Sequence, residues 1–207
     1  MVQSTVRPDT RRTRLRRGQL LDAALGTFIE NGYSDVGVAE IVARIGCGHG
    51  TFYNYFDNKR DALDAVLARE LAELTAVAEL HRPRPRDEDE FVAALGSLVR
   101  RLVDYVNERP DVLTFVMMEA PGIDEASLEL LTGSYIQLGQ LCAQYFRHGV
   151  VDGYLREDLD VEFAGEALVS CLLGAVLPRM LDNSIELDVD ETVATVVGFL
   201  CYGTPTV

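Results

Sequence analysis

The 207-residue sequence predicts an all-α protein of nine helices in two groups, with the fourth helix connecting them. Three observations carry the prediction. Period-two alternation of apolar and polar residues, the mark of a half-buried strand, is absent. Apolar residues recur instead at i, i+3, i+4 and i+7 over long stretches. Between those stretches stand Gly, Pro and Asn, the residues that end helices.

The first eleven residues are polar and basic and are expected to form a flexible arm. A helix is predicted from about Arg12 to Glu30, with Leu21, Ala24, Leu25 and Phe28 on one face. Asn31-Gly32 stops it, because both residues accept left-handed backbone geometry at little cost. Two short helices follow, roughly Val38 to Ile45 and His49 to Phe56, joined by a tight turn at Gly46-Cys47-Gly48. A longer helix begins near Lys59 and carries Leu63, Val66, Leu67, Leu74 and Val77. The stretch His81-Arg82-Pro83-Arg84-Pro85-Arg86 cannot continue it, since each proline lacks a donor and restricts its predecessor. Five further helices are predicted at about 87–108, 111–119, 125–151, 161–181 and 189–202, with breaks at Pro110, Pro121, Gly153 and Asn183. The chain therefore divides into an arm at 1–11, a small helical domain at 12–58 and a larger one at 59–207.

A net charge of -14 argues against a polyanionic partner for the chain as a whole, yet the charge is unevenly spread. Residues 1–60 hold nine basic and six acidic side chains, whereas residues 61–207 hold ten and twenty-seven. Arg7, Arg11, Arg12, Arg14, Arg16 and Arg17 crowd the start. Only the N-terminal part is suited to approach phosphates.

No secretory signal is expected, because no continuous apolar stretch follows the basic start. The longest strongly apolar run, Ala167 to Leu177, is too short to span a bilayer. Cys47, Cys142, Cys171 and Cys201 have no regular spacing, which favours reduced thiols in a cytoplasm over disulfides or zinc. Cys47 reads as a small buried hydrophobe. His81 and His148 have no ligand cluster near them in sequence, so neither a metal nor another cofactor is expected. No Ser/His/Asp set, paired carboxylates or phosphate loop points to catalysis, and the chain is not read as an enzyme.

Two helices of about two turns each around a glycine-containing turn form a helix-turn-helix. The major groove of duplex DNA admits one helix, and the other braces it. Residues 17–66 make this specific. They read Leu21–Phe28, Glu30-Asn31-Gly32-Tyr33, Val38-Ala39-Glu40-Ile41-Val42-Ala43-Arg44-Ile45-Gly46 and then Gly50-Thr51-Phe52-Tyr53-Asn54-Tyr55-Phe56, with Lys59 three residues on. This stretch resembles the DNA-binding domain of the TetR family of bacterial repressors. The resemblance implies an N-terminal three-helix, helix-turn-helix domain followed by a helical ligand-binding and dimerisation domain. It implies DNA contacts from Gly48, His49, Gly50, Thr51, Tyr53, Tyr55 and Lys59, with Phe52 and Phe56 in the core. Arg44 is open either to a DNA contact or to an i−4 pair with Glu40. Gly37 and Gly48 stand where the family usually has Ser or Thr caps, so two side-chain hydroxyls are missing there; glycine costs a helix only a few tenths of a kcal/mol at such a position.

The helix at 161–181 is apolar nearly all round and must be covered on both sides, which calls for a second copy of the chain. The last helix offers Val193, Val196, Val197 and Leu200 as a matching stripe. A homodimer presents two recognition helices and so fits a near-palindromic operator. The resemblance also implies a cavity for a small hydrophobic effector, with Tyr105, Phe115, Met118 and Tyr135 as the candidate contacts. The function expected is that of a cytoplasmic repressor released from its operator by that effector. A ligand-activated or ligand-independent regulator with the same DNA module is the alternative, and a small-molecule-binding enzyme the weaker one.

Overall fold

A computed structural model describes residues 11–79, 84–182 and 184–203. Most of the expected arm, part of the proline-containing linker and the break at Asn183 lie outside them. Among the described residues every regular element is helical: α1 (Arg11–Asn31), α2 (Val38–Arg44), α3 (His49–Tyr53), α4 (Lys59–Glu79), α5 (Glu88–Glu108), α6 (Pro110–Thr114), α7 (Glu125–Asp152), α8 (Val161–Leu181) and α9 (Val189–Tyr202). A π-helical turn, Phe115–Glu119, and a 3-10 turn, Ala120–Gly122, follow α6. Contacts divide the chain into two compact units, one up to Ala68 and one from Arg69.

In the first unit the helix ends are set by backbone chemistry. Gly32 takes φ 78° and returns its N–H to Phe28 O at 2.9 Å, closing α1. Gly46 takes φ 61°, with Gly46 N–H on Ala43 O and Cys47 N–H on Val42 O, the paired bonds that cap a helix through a left-handed residue. Gly37 supplies no side chain to the start of α2, and Glu40 accepts its N–H at 2.9 Å instead. The core of the unit is Leu20, Phe28, Ile41, Phe52 and Leu63, all fully buried. Helix α3 ends at Tyr53, earlier than the expected Phe56, although the turn that follows still bonds Phe56 N–H to Phe52 O. Cys47 is half-buried, not fully buried as expected; it lies in the turn after α2, with its N–H on Val42 O.

In the second unit Asp87, Asp124, Asp160 and Asp188 cap α5, α7, α8 and α9, each accepting a backbone N–H of the first turn. The core gathers Leu95, Leu98 and Val103 of α5, Ala143 and Phe146 of α7, Leu168 of α8 and Val196 of α9. Helices α7 and α8 cross at two glycines. A Cβ at Gly165 would fall against Gly139 O and lie 2.6 Å from Ala143 N, so only glycine allows the backbones to approach this far.

Helix α8 buries one stripe, Gly165, Leu168, Leu172, Val176 and Met180, while Phe163 stays 68% exposed. By length and composition alone α8 qualifies as a membrane span, contrary to what its shorter apolar run suggested. Its buried stripe and its packing on α7 give it a place in a protein core. The stripe of α9 also differs from expectation. Val196 and Val197 are buried within this chain, and Val193 and Val197 flank Gly96 of α5. The outward apolar residues of α9 are therefore Phe199 and Tyr202.

Replacing Gly165 by Ala is expected to lower unfolding stability by about 2 kcal/mol, because overpacking outweighs the helix-propensity gain. Gly133→Ala on α7, where an added Cβ meets nothing within 4 Å, is expected to raise it by up to ~1 kcal/mol. Urea denaturation of the two variants checks both signs.

Candidate DNA-recognition surface and effector cavity

Helix α3 has two unlike sides. Phe52 is fully buried and packs on Phe56 with ring centroids 5.4 Å apart. Gly48, His49 and Gly50 are exposed, and Tyr53 is 55% exposed. Thr51 and Tyr55 are half-buried. Residues 49, 50 and 53 share one helix face, so burial of Phe52 turns a small outward surface of imidazole, bare backbone and phenol toward solvent. The structure brings these expected contact residues together.

Two basic residues have partners that the sequence did not announce. Arg44 does not pair with Glu40. It lies across Gly26 of α1, where a Cβ would come within 2.9 Å of its Nη2, and forks onto Glu30 at 2.5 and 2.7 Å. That hydrogen bond holds the Glu30 carboxyl below its ordinary range. Lys59 donates to Tyr33 O at 2.6 Å and Val36 O at 2.7 Å, and its ammonium stands 4.1 Å from the Tyr33 ring centroid. It fastens the loop between α1 and α2 to the start of α4. Arg17 stacks 5.3 Å from the Phe56 ring, which ties a residue of the basic cluster to the α3 anchor.

The second unit holds an apolar cavity of about 90 Å³ between the end of α4, α5, α7 and α8. Leu74, Leu102, Leu138, Leu172 and Val176 are among the apolar residues of its wall, and Ser134, Tyr135 and Cys142 bring the polarisable atoms. Burial pushes the Cys142 thiol up to about 12, so it serves as a neutral wall at ordinary pH. Tyr135 is the one expected effector contact that lines the cavity; its hydroxyl hydrogen-bonds Ser170 Oγ at 2.7 Å.

Tyr105, Phe115 and Met118 do not line it. Tyr105 accepts from Arg109 Nη1 at 2.8 Å, Phe115 is core, and Met118 is 46% exposed. For Met118 the reason is the π-helical turn Phe115–Glu119, in which Ala120 N–H bonds Phe115 O; Tyr105 lies before that turn, on α5, and is held by Arg109. A turn widened to i→i+5 shifts the helical phase, so Met117 faces the cavity in place of Met118. A period of 3.6 residues gives no sign of this shift.

Beside the cavity, α4 carries a buried charge. Glu70, with a side chain 2% exposed, pairs with Arg109 at 2.6 Å and Arg69 at 2.7 Å. Arg109 also reaches Glu73 at 2.5 Å and lies over the Tyr105 ring. Neighbouring Leu71 and Leu74 of α4 line the cavity, so one helical turn both walls it and is pinned to the α5–α6 corner.

Comparison with known proteins matches residues 20–66 to the family described as bacterial regulatory proteins, tetR family. The HTH-type transcriptional repressor KstR of Mycolicibacterium smegmatis is 30% identical over 148 residues, covering 70% of this chain and 68% of KstR. The chain belongs to the TetR family. The HTH-type transcriptional regulator SrpR of Pseudomonas putida is 28% identical over 156 residues, 70% of this chain and 66% of SrpR, just under two thirds of its length. The crystal structure of FadR from Bacillus subtilis in complex with stearoyl-CoA shares the fold at TM-score 0.75. It is 19% identical over 91% of this chain and 99% of FadR. The matched segment runs from α1 through α2 and α3 into α4, so the family likeness falls on the helices that build the outward face of α3.

Glu70→Gln is expected to cost about 3 kcal/mol, since it leaves a partly buried guanidinium without its main counter-charge. Glu73→Gln, whose carboxylate is half-exposed, is expected to cost less than ~1 kcal/mol. Chemical denaturation of the pair separates a buried from a solvated ion pair.

Proposed function

We propose that this TetR-family chain is a repressor that binds a near-palindromic operator as a homodimer and is released from it by a small hydrophobic effector. The observation that carries the reading is the outward face of α3. A five-residue helix anchored by Phe52 presents His49, Gly50 and Tyr53, in the part of the chain where basic residues outnumber acidic ones. Tyr53 and Tyr55 have hydroxyls suited to phosphates, while His49 and Thr51 suit base edges. Arg44 and Lys59 contribute mainly by holding α1, α2 and α4 in place, with their remaining donors directed to phosphate.

Dimerisation is supported by α8, whose outward apolar residues, with Phe199 and Tyr202 of α9, have no cover in a single chain. The apolar lining of the cavity supports a hydrophobic effector. At about 90 Å³ the cavity is below the ~300 Å³ of ordinary ligand sites, so an effector has to widen it. Widening acts on α4 through Leu71 and Leu74, and α4 is the helix that begins at Lys59 beside the recognition elements. A ligand releases DNA only by binding one arrangement better than the other; tenfold release corresponds to about 1.4 kcal/mol of coupling. A DNA partner and cysteines that form no disulfide fit a cytoplasmic protein.

Gel shifts with DNA from the promoter region beside the chain's own gene test the reading. Binding is expected to weaken steeply between 50 and 200 mM salt, as counterion release requires. Tyr53→Ala is expected to weaken it about tenfold without changing the unfolding midpoint, because the ring is exposed. Salt-independent binding, or none, contradicts the proposal. A reporter under the same promoter must rise when the gene is deleted; a fall assigns the chain to activation.

A further inference from the structure

The apolar cavity has a polar neighbour along the same two helices. Beyond it, a second pocket of about 250 Å³ is lined by Glu79, Arg84, Gln144, Tyr145 and His148. Ala78 of α4 belongs to both walls, so the two pockets adjoin at that residue. On α7 the first cavity uses Leu131, Tyr135, Leu138 and Cys142, and the second continues with Tyr145 and His148. Steps of three or four residues keep all of these on one helix face. Together they trace a furrow between α4 and α7 of about 25 Å, seventeen residues at 1.5 Å each.

The furrow changes character along its length. Its inner end is almost wholly hydrocarbon, whereas its outer end carries a guanidinium, an imidazole, an amide and a carboxylate. Arg84, Gln144 and His148 make no hydrogen bond or ion pair with another described residue. Each pocket alone is smaller than an ordinary ligand site, and the two joined exceed its lower bound. A ligand that fills both pockets has to be elongated, apolar at one end and polar at the other, which favours a chain over compact fused rings.

We infer that the effector is a single-chain amphiphile with a monoanionic carboxylate head, its tail in the apolar cavity and its head between Arg84 and His148. This rests on the proposed role of the second unit as the effector domain. A carboxylate is disfavoured in the inner cavity, whose lining holds no cation to compensate its lost hydration. At the outer end Arg84 offers a fork of donors and His148 a further one. Glu79 in the same pocket repels a second negative charge, which favours a carboxylate over a phosphate dianion.

The experiment is equilibrium binding by calorimetry to the full chain, without DNA, of hexadecanoate, hexadecan-1-ol and hexadecyl phosphate. Hexadecanoate is expected to bind about tenfold more tightly than the alcohol and more tightly than the phosphate. The surface double variant Arg84→Ala/His148→Ala is expected to remove the advantage of the acid and leave the alcohol unchanged. Ala78→Phe, which plugs the junction, is expected to weaken all three. Equal affinity for acid and alcohol overturns the head placement, as does an unchanged acid in the double variant. Tightest binding of the phosphate overturns the head class. If none of the three binds while the gel shift with operator DNA persists, the amphiphile is wrong and the regulator remains.

Discussion

A five-residue helix has no stability of its own in water, where even helices of a dozen residues are marginal. Everything proposed for α3 depends on the burial of Phe52, which converts a fleeting turn into a fixed platform. Full burial of a phenylalanine side chain is worth about 1.5–3 kcal/mol. The neighbouring contacts extend that anchor: Phe56 packs on Phe52, Arg17 covers Phe56, and Lys59 ties the chain just beyond to the loop after α1. With Phe52 inward, Tyr53 and His49 have no choice but to face out.

The second unit is built on a different constraint, a close approach of α7 and α8 at Gly139 and Gly165. Their crossing sets the back wall of the cavity, to which Tyr135, Ser134 and Cys142 of α7 and Leu172 and Val176 of α8 contribute. The front wall is α4, pinned by Glu70 to Arg109. A buried ion pair contributes little net stability, because desolvation offsets attraction. Its value lies in position: the pair fixes which face of α4 meets the cavity, and it does so one turn from the residues that an effector must displace.

Much of this was legible from residues alone where local chemistry decides. Gly32, Gly46 and Gly153 stop helices because each must take a positive φ, and they stop them where expected. The glycine-threonine-aromatic-tyrosine run located α3, and the i, i+4 pair Phe52 and Phe56 identified its core side. Features set by distant partners were not legible. Glu30 and Arg44 are fourteen residues apart, and only the missing side chain of Gly26 hinted that something crosses α1 there. Lys59 looked like a phosphate ligand, yet two of its donors meet carbonyls more than twenty residues away. The π-helical turn moved Met117 into the place expected of Met118, and the inward stripe of α9 satisfied α5 before any second chain.

The central claim is that the outward face of α3 enters the major groove, twice, through a two-fold pair. Dimethyl sulfate interference on the operator reads this directly, since the reagent marks guanine N7 in that groove. Two clusters of interfering guanines, separated by whole turns of about 10–10.5 base pairs, are the predicted result. A single cluster, or interference confined to the minor groove, contradicts the claim.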